Sequence, residues 1–222
     1  MAQFLYEHHS VNVHLNTVKR HIRLARQING ADQLAAAIEP FYTDLLAKAT
    51  ASGLAKEECE HKRDLLALKD ALLDDKVRDL SEACKKYDRD NPGISVTKLL
   101  FPAAISPIIF APVESEPTEV GKLIIGLQNL GGRNPLVAHI EPMQAAIDAV
   151  KTAITELYAA IDVQKTAEAS EAIAKVKLTR QYEQNFYAAG SKFGKTFAGR
   201  LFPAIRAAAK KIEEEENTES AK

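Results

Sequence analysis

The chain has 222 residues, 46% of them hydrophobic, with 29 Lys and Arg against 30 Asp and Glu for a formal charge of −1. That length supports one or two domains with a sizeable core. The balanced charge excludes a uniformly basic nucleic-acid coat and a polyacidic disordered chain, and the lack of Gly and Pro excess excludes collagen-like sequences.

Residues Met1 to His9 contain neither a basic start nor an apolar run, so they do not read as a signal peptide. Val11, Leu15, Val18, Ile22 and Ala25 follow at steps of three and four, which predicts a helix over about Asn12 to Ile28, stopped by Gly30. His8, His9, His14 and His21 crowd this region. No further ligands accompany them, so they are expected to be surface or interface residues. Lys19, Arg20, Arg23 and Arg26 form a small basic cluster on the same helix.

Asp32 is a good N-cap. Pro40, about two turns later, predicts a kink or break, because proline removes a donor and clashes with the preceding turn. Ser52-Gly53 predicts a turn. A long helix follows from about Lys56 to Asp88, with Leu65, Leu68, Leu72, Leu80, Ala83 and Tyr87 marking its apolar stripe. Glu58 and His61 have the Glu-x-x-His spacing of di-iron bundles. The chain supplies no second such pair, and the run Lys56 to Asp64 reads as a solvated helix start. Cys59 and Cys84 read as small buried or half-buried thiols, ahead of a disulfide or a metal pair.

The longest uncharged run, Leu99 to Val113, is broken by Pro102, Pro107 and Pro112 and is too short to span a bilayer. No membrane insertion and a cytoplasmic location are therefore expected. Phe101 to Pro117 is proline-rich but poor in Gly and Ser, so it reads as an ordered crossover. Beyond it, Asn134 and Pro135 suit the N-cap and first position of a helix, and Pro142 predicts a second break. Ile147, Val150, Ile154, Leu157 and Ile161 mark one stripe; Ile173, Val176, Tyr182 and Phe186 mark another. The phase slips between Asp162 and Glu168, which predicts a bend or turn there.

The two halves share a pattern. Ile38-Glu39-Pro40 recurs as Ile140-Glu141-Pro142, and Leu100-Phe101-Pro102-Ala103 recurs as Leu201-Phe202-Pro203-Ala204. Leu34 matches Leu136 and Ala36 matches Ala138. Two motifs in one order at nearly one spacing point to a duplication, with copies over about Val13 to Pro107 and Glu119 to Ala208. Phe101 and Phe202 are expected to be buried at equivalent places. The division that follows is a first helical unit over 1–112, a Pro/Glu-rich crossover over 113–118, a second helical unit over 119–212, and an acidic polar tail over 213–222.

Two patterns near the C-terminus bear on function. Ala189 to Thr196 resembles a relaxed P-loop with Ala in place of the first Gly. A P-loop must follow a buried strand, whereas Leu178 to Phe186 is polar and helical. Gly190 and Gly194 are better read as a helix stop and a tight turn. Lys175, Lys177, Arg180, Lys192, Lys195, Arg200, Arg206, Lys210 and Lys211 fall in a stretch whose only acid is Glu183, interleaved with Tyr182, Phe186, Tyr187, Phe193, Phe197 and Phe202. Such a surface suits phosphate neutralisation and base stacking. The competing reading makes the aromatics core and the charges solvated helix faces.

The sequence thus predicts an all-α protein: two tandem helical-hairpin repeats packed as an elongated antiparallel helical bundle. Its expected function is non-enzymatic, a structural or interaction protein that presents helical faces to a protein partner or to itself. The alternative is binding of nucleic acid or another polyanion through 175–211. No nucleophile, acid–base pair, metal cluster or cofactor motif is expected to serve.

Overall fold

The computed structural model describes residues 4–93 and 95–202. Among them every regular element is helical: α1 (Val11–Ala25), α2 (Asp32–Asp90), α3 (Val96–Leu100), α4 (Ser106–Ile109), α5 (Glu116–Asn129), a 3₁₀ turn (Pro135–His139), α6 (Ile140–Phe193) and α7 (Lys195–Leu201). The all-α helical-bundle expectation holds. Local signals set several ends. Ser10 caps α1 by accepting from the Val13 amide at 3.4 Å, and Asn134 caps the 3₁₀ turn by accepting from Leu136 at 3.0 Å. Gly30 and Gly194 take φ values of +81° and +83°, a conformation that costs glycine little and stops the helix before it. Gly190 lies inside α6, so Gly194 alone is the stop.

Three predicted breaks are absent. Ser52-Gly53 and the segment 162–168 both lie within unbroken helix, and Pro40 sits inside α2. The helix accepts Pro40 because the ring is exposed and the preceding Ala36 and Ala37 are small and exposed. In the second half the expected break is present: the 3₁₀ turn ends at His139, and Pro142 falls in the first turn of α6, where an amide has no intrahelical partner to lose.

The chain divides into two compact units. Unit 1 comprises the described parts of residues 1–54 and 165–222; unit 2 is residues 55–164. This division reflects packing, and each unit draws on both halves of the sequence. Both α2 and α6 pass from one unit into the other. The phase slip near 162–168 marks this boundary, since no α6 residue between Ala160 and Ala174 is buried.

Within unit 2, α2 buries Cys59, Leu66, Leu73, Val77, Leu80 and Cys84, a seam with near-heptad spacing. Leu68 and Leu72 of the predicted stripe are instead exposed, at 56% and 44%. Met143, Ile147 and Val150 of α6, Val120, Ile124 and Leu127 of α5, and Phe101 complete that core. Asp88 accepts from the amides of Val96 and Thr97 at 2.8 and 3.1 Å and so fixes the start of α3. Within unit 1, Val18 and Ile22 of α1, Ile38 and Leu45 of α2, Leu178 and Tyr182 of α6, and Leu201 and Phe202 form the core. Phe101 and Phe202 are thus both buried, each beside the short helix that precedes it. Both cysteines are buried and free.

The two halves run through the same element order: helix, long helix, short helix, Leu-Phe-Pro. Burial follows the same register. His14, Val18, Ile22 and Ala25 are buried on α1, and Glu116, Val120, Ile124 and Leu127, each 102 positions later, are buried on α5. Toward the ends of the long helices, Leu73, Val77, Ser81 and Cys84 correspond to Ala174, Leu178, Tyr182 and Asn185, each 101 positions later and buried. Pro203 and the acidic tail lie outside the described residues.

Candidate polyanion surface

The six candidate cations that fall within the described residues all belong to unit 1; Arg206, Lys210 and Lys211 lie outside them. Lys177 and Arg180 are exposed on α6, and Lys195 and Arg200 are exposed on α7. None of these four forms an ion pair with another described residue, whereas Arg26 of the same unit pairs with Glu39 at 2.7 Å. The other two candidates have internal duties. Lys192 donates to the Gly30 carbonyl at 2.7 Å and lies 5.5 Å over the Phe193 ring. Lys175 is half-buried, and its charge bears on His9 and His14.

The interleaved aromatics are mostly structural. Tyr182 and Phe202 are fully buried and pack edge to face with centroids 5.0 Å apart. Phe186, Phe193 and Phe197 are half-buried against the same core. Tyr187 alone of the six is an exposed ring, at 67%. The surface therefore offers charge with little to stack a base on. A shallow cleft of about 300 Å³ on it is lined by Phe193, Gly194, Lys195, Thr196, Phe197 and Arg200. This cleft occupies the P-loop-like stretch, which here joins two helices, with no preceding strand.

No family model, curated protein or solved structure matches the chain.

The remaining sequence candidates resolve as follows. Glu58 and His61 form an exposed pair at 3.9 Å. Among the described residues no group of three or more His, Cys, Asp or Glu side chains is arranged to hold a metal, and no helix is long and apolar enough to cross a membrane. The histidine reading needs correction, because His14 and His21 are both fully buried. His14 Nδ1 donates to the Ser10 carbonyl at 3.0 Å, and Nε2 meets the Thr179 hydroxyl at 3.1 Å. His21 Nδ1 donates to the Leu201 carbonyl at 3.1 Å, and Asn185 donates to its Nε2 at 3.2 Å and to the Leu34 carbonyl at 2.7 Å. A carbonyl only accepts, so each ring carries its proton on Nδ1. Burial first, and for His14 also the nearby Lys175 charge, holds both pKa values below the usual imidazole value. The signal for burial was present in the sequence, since His14 and His21 flank Val18 on one face of the helix.

Charge separates by unit. The described residues of unit 1 carry twelve Lys and Arg against seven Asp and Glu, a net of +5. Unit 2 carries thirteen against eighteen, a net of −5. In unit 2 many charges are internally matched, among them Lys62–Glu156 at 3.0 Å and Arg78–Asp74 at 3.0 Å.

Proposed function

We propose that the chain is a non-enzymatic helical interaction protein that associates with copies of itself, the basic unit of one copy meeting the acidic unit of another. The segregation of +5 and −5 between the two units supports this reading. The exposed cations Lys177, Arg180, Lys195 and Arg200 supply its basic contacts. Single exposed pairs contribute only about 0–1 kcal/mol, so association of this kind needs many of them and weakens as salt screens them. Sedimentation velocity at low and high salt tests it. The expected result is a larger species at low salt that dissociates at high salt and is lost in the fourfold variant with Glu at 177, 180, 195 and 200. A chain that stays monomeric at low salt and high concentration overturns it.

We also infer that the chain arose by duplication of one helix–long helix–short helix module. Shared element order and shared burial register support that inference. On this reading each compact unit combines the first part of one copy with the last part of the other.

A second reading, binding of a nucleic acid or another polyanion, is favoured by the cleft flanked by Lys195 and Arg200. It predicts oligonucleotide affinity falling with salt at a log–log slope of roughly −0.7 per phosphate neutralised on a single strand. The scarcity of exposed aromatics argues against a stacking contribution.

A further inference from the structure

Unit 2 contains a cluster of carboxyl groups whose buried oxygens meet no donor among the described residues. Glu116, in the first turn of α5, is only 2% exposed. Its carboxyl lies within hydrogen-bonding reach of Asp70 and Asp74, one turn apart on α2. Asp70 Oδ1, Asp74 Oδ1 and Glu116 Oε1 are all buried without a hydrogen-bond donor among the described residues. Carboxylate oxygens only accept. Three ionised groups so placed would repel one another at low dielectric, with nothing to satisfy their buried lone pairs.

We propose that Glu116 carries a proton in the folded chain and donates it to the Asp70–Asp74 pair, so that this one proton fastens the first turn of α5 to α2. The surroundings select Glu116 as the holder. It is the most buried of the three, whereas Asp74 has a cationic partner in Arg78, which reaches Oδ2 at 3.0 Å and also bonds Asp75. Of α3, α4 and the 3₁₀ turn, which also pack on α5, α3 carries Lys98 and the 3₁₀ turn carries His139, and neither acts on the Glu116 carboxyl. Neighbouring acids are engaged elsewhere: Glu114 accepts from the Tyr158 hydroxyl of α6 at 3.3 Å, and Glu119 accepts from Lys122 at 2.8 Å. A helix N-terminus favours an ionised acid, but here burial and the two aspartates oppose that preference. Burial first, then Asp70 and Asp74, push the Glu116 pKa up to about 9.

The direction of the effect follows from linkage. The folded value lies above the ordinary glutamate value of 4.5. The latch therefore contributes fully below that ordinary value, and its contribution is lost as pH rises through the folded value near 9. Unit 2 should loosen at its α5 end in alkali.

The test is a carbon-13 NMR titration of the glutamate side-chain carboxyls in the full chain. One glutamate is expected to titrate far above the rest, and that signal should be missing in Glu116→Gln. If every glutamate titrates in the ordinary carboxylate range, the proposal is wrong. Melting temperature against pH gives a second readout. Glu116→Gln keeps the size and a donor, so it should match or exceed the parent at neutral pH and lack the parent's loss of stability between pH 4.5 and about 9. Equal declines in both proteins would overturn the proposal. So would a parent that is stabilised by millimolar magnesium or calcium with its glutamate titration drawn down to the ordinary range, because the cluster would then serve a metal ion. If the Gln variant does not fold, the parent's titration decides alone.

Discussion

Tyr182 is fully enclosed, between His21 at 5.6 Å and Phe202 at 5.0 Å centroid distance, yet its hydroxyl has no partner among the described residues. An unpartnered buried hydroxyl costs about 1–3 kcal/mol of desolvation. Tyr182→Phe is therefore expected to match or exceed the parent in melting temperature, and a clear loss would show that the hydroxyl is bonded. Asn185 should behave oppositely. Its amide joins His21 on α1 to the Leu34 carbonyl on α2, so Asn185→Ala should cost roughly 1–3 kcal/mol in urea unfolding. His14 makes unit 1 sensitive to acid. Its pKa is lowered in the fold, so its contribution is complete above the ordinary value of 6.5 and is lost as pH falls through the folded value. His14→Gln should flatten the acid side of a stability–pH profile, and an unchanged profile would assign that decline to other groups. These histidines illustrate what the sequence conceals. Periodicity placed them beside the apolar stripe, but the partners that make burial tolerable, Thr179 and Asn185, lie more than 160 positions away.

At the scale of elements, the two prolines of the Ile-Glu-Pro motif occupy different helical environments. Pro40 is the ninth residue of α2 and Pro142 the third of α6. A proline in a helix interior costs about 3 kcal/mol through the lost hydrogen bond and the clash with the preceding turn, whereas the first turn tolerates it. Pro40→Ala should therefore raise stability measurably, by up to about 3 kcal/mol, and Pro142→Ala should change it little. Equal effects would mean that α2 bends around Pro40 in a way the rest of unit 1 requires. The length of α2 was hard to read because Ser52-Gly53 and Pro40 are strong local punctuation, and tertiary packing overrides it. The phase of its seam was ambiguous for a different reason. Leu65-Leu66 and Leu72-Leu73 put leucine on two adjacent faces, so spacing alone allowed either stripe, and the core took Leu66 and Leu73.

For the whole molecule, a chain of net charge −1 conceals described residues that carry +5 in unit 1 and −5 in unit 2, the residues beyond 202 supplying the remaining −1. The sequence showed the basic stretch directly, and the fold added Lys19, Arg20 and Arg23 of α1 to the same unit. Division by sequence halves dilutes that contrast, because each unit takes residues from both ends of the chain. The acidic tail, residues 213–222, lies outside the described residues but bears on the same balance. It holds five glutamates and one lysine, so deleting it takes the chain from −1 to +3. A tethered anionic segment within reach of a basic face acts at high effective concentration, so the tail is expected to compete with external anions for Lys177, Arg180, Lys195 and Arg200. At low salt the deletion should therefore tighten both self-association and binding of a single-stranded oligonucleotide. The two forms should converge at high salt, since screening confines such contacts to about 8 Å even at physiological ionic strength. If self-association tightens and oligonucleotide binding stays undetectable, the acidic unit of another copy is the tail's competitor. If neither changes at low salt, the tail does not contend for the basic face, and those cations are solvated helix surface.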